Sequence, residues 1–221
     1  PYRRQRQMCI RDRYTTFEDA GCFTGFSVRE EGNNVVVTAN YKLGCFDQAV
    51  WTISPDGTAA IDFTYNFSGV VDLMGVMFDY PEDKVLSKRW VGDGPYRVWQ
   101  NRLHGPQLGV WENEYNDPIP AESFTYPEFK GYFANVQWMT LETQEGMISI
   151  CNRTPQNYVG VYQPRDGRDG LLYTFPVTGI SLMKVIPPVR NKVNTTDLIG
   201  PSSQAFWADG EYGGGITLKF E

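Results

Sequence analysis

Few side chains in this 221-residue sequence have the types and spacing that catalysis or metal binding requires. There is a single histidine, His104, so any Ser-His-Asp or Cys-His mechanism would have to use it. It stands in Arg102-Leu103-His104-Gly105-Pro106, just before a turn, and is read as a surface or turn residue rather than a general base. Histidine-rich metal sites are excluded by the same count. Paired carboxylates are what glycoside hydrolysis needs, one as acid and one as nucleophile or base. Glu112 and Glu114 in Trp111-Glu112-Asn113-Glu114-Tyr115 would point the same way on a strand, with Cβ atoms about 7 Å apart. A solvated strand face is the preferred reading of that pair. Asp166 and Asp169 in Arg-Asp-Gly-Arg-Asp-Gly miss the D-x-D-x-D-G spacing of a calcium loop and read as a double turn. Gly213-Gly214-Gly215 precedes a strand, so it cannot cradle a phosphate as a loop opening a helix does. Outside the first thirteen residues Cys22, Cys45 and Cys151 form no Cys-x-x-Cys pair, which argues against zinc. Cys22 and Cys45 each sit in a Gly-Cys-Phe triplet; buried free thiols are preferred there over a bridge. No metal and no cofactor is expected. Asn66-Phe-Ser, Asn152-Arg-Thr and Asn194-Thr-Thr are glycosylation sequons that matter only in a eukaryotic secretory setting.

The aromatic residues are more informative. The chain holds 6 Trp, 13 Tyr and 13 Phe, and Trp51, Trp90, Trp99, Trp111, Trp138 and Trp207 all fall on strand candidates or at their ends. Most Trp in a sandwich is core, while one or two exposed at loop tips can stack on the apolar faces of sugar rings. Trp207, preceded by the polar Ser202-Ser203-Gln204 and followed by a turn at Ala208-Asp209-Gly210, is the best surface candidate.

Side chains of this kind need a rigid frame, and the pattern supplies strands. Pro55-Asp56-Gly57-Thr58 separates the alternating runs 49–54 and 59–66. Pro presets φ and Gly takes the positive φ that other residues avoid, so this is a hairpin. Other strands are expected at Asn34–Leu43, Val71–Asp79, Val85–Val91, Leu108–Trp111, Val136–Glu142, Met147–Cys151, Tyr158–Gln163, Leu171–Phe175, Ile180–Val185 and Gly215–Phe220. No helical stripe exceeds about two turns. The fold class expected is all-β, a large antiparallel sandwich. No linker divides residues 14–221, which are read as one domain.

Composition narrows the partners. With 41% hydrophobic residues the chain can build a core, and no run of 18 apolar residues exists to cross a membrane as a helix. The net charge of −6 argues against nucleic acid. Residues 1–13, PYRRQRQMCIRDR, stand apart. Taking their five Arg and one Asp from the chain's 20 basic and 26 acidic residues leaves 15 and 25, a charge of −10. The string RQMCIRDR resembles translated sequencing-adapter read-through, so residues 1–13 are expected to be a non-native or disordered arm, with the true N-terminus missing.

Three strings then stand out in order. They are Trp51-Thr-Ile-Ser-Pro-Asp-Gly-Thr-Ala-Ala-Ile-Asp-Phe63, Leu73-Met-Gly-Val-Met-Phe-Asp-Tyr-Pro81 and Trp90-Val-Gly-Asp-Gly-Pro-Tyr96. Together they resemble the C-terminal β-sandwich domain of family 2 glycoside hydrolases of the β-galactosidase type. Trp90, Gly92, Gly94, Pro95 and Arg102 fit that domain's W-Y-G-x-G-P motif region without a gap, and Pro127, Gly131 and Trp138 fit its P-Q-E-N-G segment. Gly214–Glu221 is similar to its closing strand. The chain departs from the family at Met74, Arg97, Trp99, Phe129, Lys130 and Phe133, and Tyr126–Tyr132 is similar to a subgroup of Bacteroidota enzymes acting on plant polysaccharides.

The resemblance implies a galactose-mutarotase-like supersandwich over about residues 26–221. It also implies that the catalytic glutamates lie on an upstream barrel, which needs about 250 residues of βα units and cannot fit here. On that footing this chain has no catalytic residue of its own. Its expected partners are a galactoside-type glycan and the upstream catalytic domain of the same polypeptide, with neither nucleic acid nor membrane. Trp207 is the position carried over as a sugar contact, with Trp111, Tyr126 and Glu128 as further candidates. A periplasmic or secreted location is implied by the resemblance alone. The alternatives are a stand-alone carbohydrate-binding module, or a mutarotase- or polysaccharide-lyase-like enzyme.

Overall fold

The computed structural model describes residues 7–10, 13–16, 22–42, 46–71, 73–78, 80, 84–114, 131–161, 180–188 and 203–221. Every regular element among them is a strand, and every strand pair is antiparallel. In chain order these are β1 (Gln7–Ile10), β2 (Arg13–Thr16), β3 (Cys22–Glu31), β4 (Asn34–Lys42), β5 (Phe46–Ile53), β6 (Thr58–Val71) and β7 (Met74–Phe78). There follow β8 (Val85–Gly94), β9 (Gln107–Glu114), β10 (Trp138–Thr143), β11 (Gly146–Asn152), β12 (Tyr158–Gly160), β13 (Ile180–Val185) and β14 (Phe206–Phe220). Nine of them form one sheet in the order β3-β4-β5-β6-β14-β11-β10-β8-β9, and β12-β13-β7 form a second sheet. β1 and β2 make a separate ribbon.

The period-two pattern decides which side of the large sheet is dry. On β6, Ile61, Phe63 and Tyr65 are buried while Asp62, Thr64 and Asn66 are exposed. On β10, Met139 and Leu141 are buried while Trp138 and Glu142 face out. The buried sides meet Val159, Ile180 and Leu182 of the small sheet in one hydrophobic core that includes Trp90 and Phe133. A second cluster gathers Leu73, Val98, Trp99, Tyr132 and Met183. Each such side chain taken from water contributes about 1.5–3 kcal/mol, which is what holds two sheets face to face.

The expected hairpin is present. Gly57 has φ +83°, the Ser54 N–H donates to the Thr58 carbonyl at 2.8 Å, and the Thr58 N–H donates to Asp56 Oδ1 at 3.1 Å. Three expectations are corrected. The run 71–79 is not one strand: β6 ends at Val71 in the large sheet and β7 begins at Met74 in the small one, with fully buried Leu73 between them. The closing strand does not start at Gly215 but at Phe206, because its long pairing with β6 begins at Val71. Ala208-Asp209-Gly210 is therefore strand and not turn, and Gly210 keeps its positive φ of +117° inside the ladder. The strand expected at Leu171–Phe175 lies outside the described residues.

Candidate functional site

Trp207 is the second residue of β14 and pairs with Val70 of β6. Residues of β14 that share its phase, Thr217 and Lys219, lie opposite Ala60 and Thr58, away from the buried Ile216 and Leu218. Trp207 thus belongs to the outward face of the large sheet, and it is 64% exposed.

Its backbone is held from both sides. Just before it, buried Ser203 accepts from Asn101 Nδ2 at 3.2 Å, and the Gln204 carbonyl accepts from Gln100 Nε2 at 3.0 Å. Just after it, the Asp209 N–H donates to the Tyr212 hydroxyl at 2.8 Å, and the Tyr212 ring stacks on Tyr65 with centroids 5.8 Å apart. Ala208, the residue that follows Trp207, is itself fully buried in the core. The indole is therefore free while the chain carrying it is fixed, as a preformed stacking surface requires.

Trp111 is placed differently. It lies on the core side of β9 opposite Trp90, is half-buried, and directs its Nε1–H towards the Gly92 and Gln107 carbonyls, both at 3.2 Å. Its ring covers Gly94 and Gly109. Tyr126 and Glu128 lie outside the described residues, as do Asp166, Asp169, Asn194 and Cys45 and the side chains of Cys22 and Glu114. His104 is exposed in a bend. Glu112 is exposed on the outward face, across from Arg89. Asn66 is exposed and donates to Asp47 Oδ2 at 2.7 Å, whereas Asn152 is buried and donates to the Asn157 carbonyl at 3.2 Å. Cys151 is a free, exposed thiol.

Among the described residues no three His, Cys, Asp or Glu side chains gather so as to hold a metal ion. The carboxylates that are clearly displaced in acidity both move down. Asp56 is held below its ordinary value by the Thr58 N–H and hydroxyl, and Glu145 by the Lys84 ammonium and the Tyr80 hydroxyl. Such groups are kept as carboxylates and are poor proton donors. The displaced groups do not converge with Trp207.

Sequence reasoning passed over Trp138 as a surface residue, treating it only as part of a motif. The signal was there. In Trp138-Met-Thr-Leu-Glu-Thr143 the Trp keeps phase with Thr140 and Glu142, not with Met139 and Leu141, which is the phase of a wet strand face.

The family model described as "Beta galactosidase small chain" matches residues 6–180. No curated protein matches the chain. Among solved structures, a GalM/aldose epimerase homologue from C. elegans is similar over 89% of this chain and 68% of that one, with 9% identity and a TM-score of 0.38.

Proposed function

The chain belongs to the beta-galactosidase small chain family, and from that premise we propose that it is the non-catalytic, C-terminal β-sandwich of a family 2 glycoside hydrolase. It braces the catalytic barrel and lends Trp207 to the sugar subsite. The general acid and nucleophile come from the barrel, and this domain supplies ring contact and shape. The observation that carries the reading is an indole 64% exposed on a strand fastened at both flanks. Burying it against a sugar ring gains the apolar area that the free protein leaves wet. Tyr126 and Glu128 belong to the same proposal as additional contacts. Trp111 lies on the core side of β9, the opposite face of the sheet from Trp207, and its N–H is engaged within β8–β9, so it does not line the same contact.

The test uses the complete enzyme with its barrel. Trp207→Ala is expected to raise KM for a galactoside several-fold, with the folded state unchanged by circular dichroism. Unchanged KM and kcat would reject the contact. The non-catalytic role is checked on the 221-residue chain alone. Galactoside turnover that disappears in His104→Ala would replace this reading with an independent enzyme.

A further inference from the structure

We infer that the outward face of the large sheet carries a second carbohydrate-binding surface, centred on Trp138 and shaped for an uncharged glycan. The cross-strand register places Trp138 of β10 between Val91 of β8 and Cys151 of β11, with Thr217 of β14 next in the row. It is 36% exposed although its strand is third from the sheet edge, where backbone neighbours on both sides would ordinarily help to cover it. The neighbours are short, so they leave the indole standing at the side of a groove of about 310 Å³. Thr58, Thr140, Ser149, Thr217 and Lys219 share its lining with Met139 and Ile150. Thr140 also lines an adjoining cleft of about 500 Å³ that contains Ser87, Arg89, Glu112 and Glu142. Trp138, Thr140 and Glu142 are successive outward residues of β10, so the two hollows follow one strand for about 14 Å.

The groove beside Trp138 is mainly apolar with a few hydroxyl-bearing side chains, and the adjoining cleft is more polar, a sequence that complements a sugar with C–H faces and O–H edges. The charges do not favour an ionic ligand. Lys219 Nζ lies 2.6 Å from Glu221 Oε1, Ser87 Oγ donates to Glu142 Oε2 at 2.8 Å, and Glu112 faces Arg89 across the β8–β9 pair. An acidic saccharide or nucleic acid would meet Glu112, Glu142 and Glu221, and a cation would meet Arg89 and Lys219. A neutral chain avoids both penalties. The surface is separate from the Trp207 contact and does not rest on it. Trp207 is ten positions along β14 from Thr217, roughly 30 Å away at the rise of an extended strand.

Cys151 provides a reporter inside the groove, because its exposed thiol also lines it. The 221-residue chain is titrated with cellotetraose, galactotetraose and a tetragalacturonate, and native thiol labelling is followed. Cys151→Ser identifies the Cys151 component. At least one neutral tetrasaccharide is expected to slow Cys151 labelling several-fold, with tetragalacturonate giving less protection. Trp138→Ala is expected to weaken binding about tenfold by calorimetry, while Leu103→Ala on an exposed loop leaves it unchanged. No protection of the wild-type thiol by either neutral sugar at millimolar concentration overturns the proposal, even if Trp138→Ala fails to fold. Stronger protection by tetragalacturonate than by both neutral sugars, or undiminished binding in folded Trp138→Ala, overturns it equally.

Discussion

The Trp111 indole lies so close over Gly94 that a β-carbon on the glycine would stand 2.5 Å from ring atom Cδ1. Trp111 cannot simply swing away, because its N–H is directed at the Gly92 and Gln107 carbonyls. Gly94→Ala should therefore destabilise the domain by about 1–3 kcal/mol through overpacking. In a Trp111→Ala background the same substitution should cost much less, since the obstructing ring is gone. Urea unfolding of the four proteins in this cycle gives the coupling energy directly, and additivity would refute the contact.

Trp90 fills the core from the same strand. It is fully buried, its edge meets Phe133 with centroids 4.8 Å apart, and its Nε1–H reaches the Asp93 carbonyl at 3.1 Å. Trp90→Ala should lose about 3–5 kcal/mol. Trp90→Phe keeps an aromatic ring but leaves the Asp93 carbonyl without this donor, and should lose about 1–3 kcal/mol from that source alone. Chemical denaturation orders the three proteins, and equal losses for Phe and Ala would show that the ring is not what the core needs.

Two exposed carboxylates predict acid sensitivity. Asp56 and Glu145 have folded pKa values shifted down, Asp56 by the Thr58 N–H and hydroxyl, Glu145 by Lys84. Each shift adds stability that is complete above the unfolded-state carboxylate pKa of about 4 and is lost as pH falls through the lower folded value. Lys219, raised by Glu221, runs the other way: its contribution is complete below the ordinary lysine value and disappears at still higher pH. Thermal unfolding of Asp56→Asn and Glu145→Gln should show a deficit against wild type near neutral pH that shrinks towards about pH 2. A deficit independent of pH would mean that turn geometry, not ionisation, was disturbed.

Trp207→Ala should leave stability within about 0.5 kcal/mol of wild type, because little of the ring is buried. A loss of several kcal/mol on urea unfolding would make Trp207 a packing residue and remove the reason to assign it a ligand.

The strands were legible where their signal is local. Turn chemistry at Pro55-Asp56-Gly57-Thr58 needs only four residues, and the alternation of Ile61-Asp62-Phe63-Thr64-Tyr65 announces one dry and one wet face. The same logic would have turned Trp138 outward. Signals of this kind are local because φ/ψ preference and side-chain phase are properties of neighbouring residues. Asp209-Gly210 shows the limit. As a dipeptide it has turn chemistry, but Ser68 and Phe67 lie across from it, and a continuous ladder to a strand some 140 positions earlier overrides the local preference. The insertion of β14 between β6 and β11, the passage of the chain between sheets at Leu73, and the track beside Trp138 have no local signature either. Each depends on which distant strands become neighbours, and that is decided by burying apolar faces together across the whole domain, a sum that no short window of residues contains.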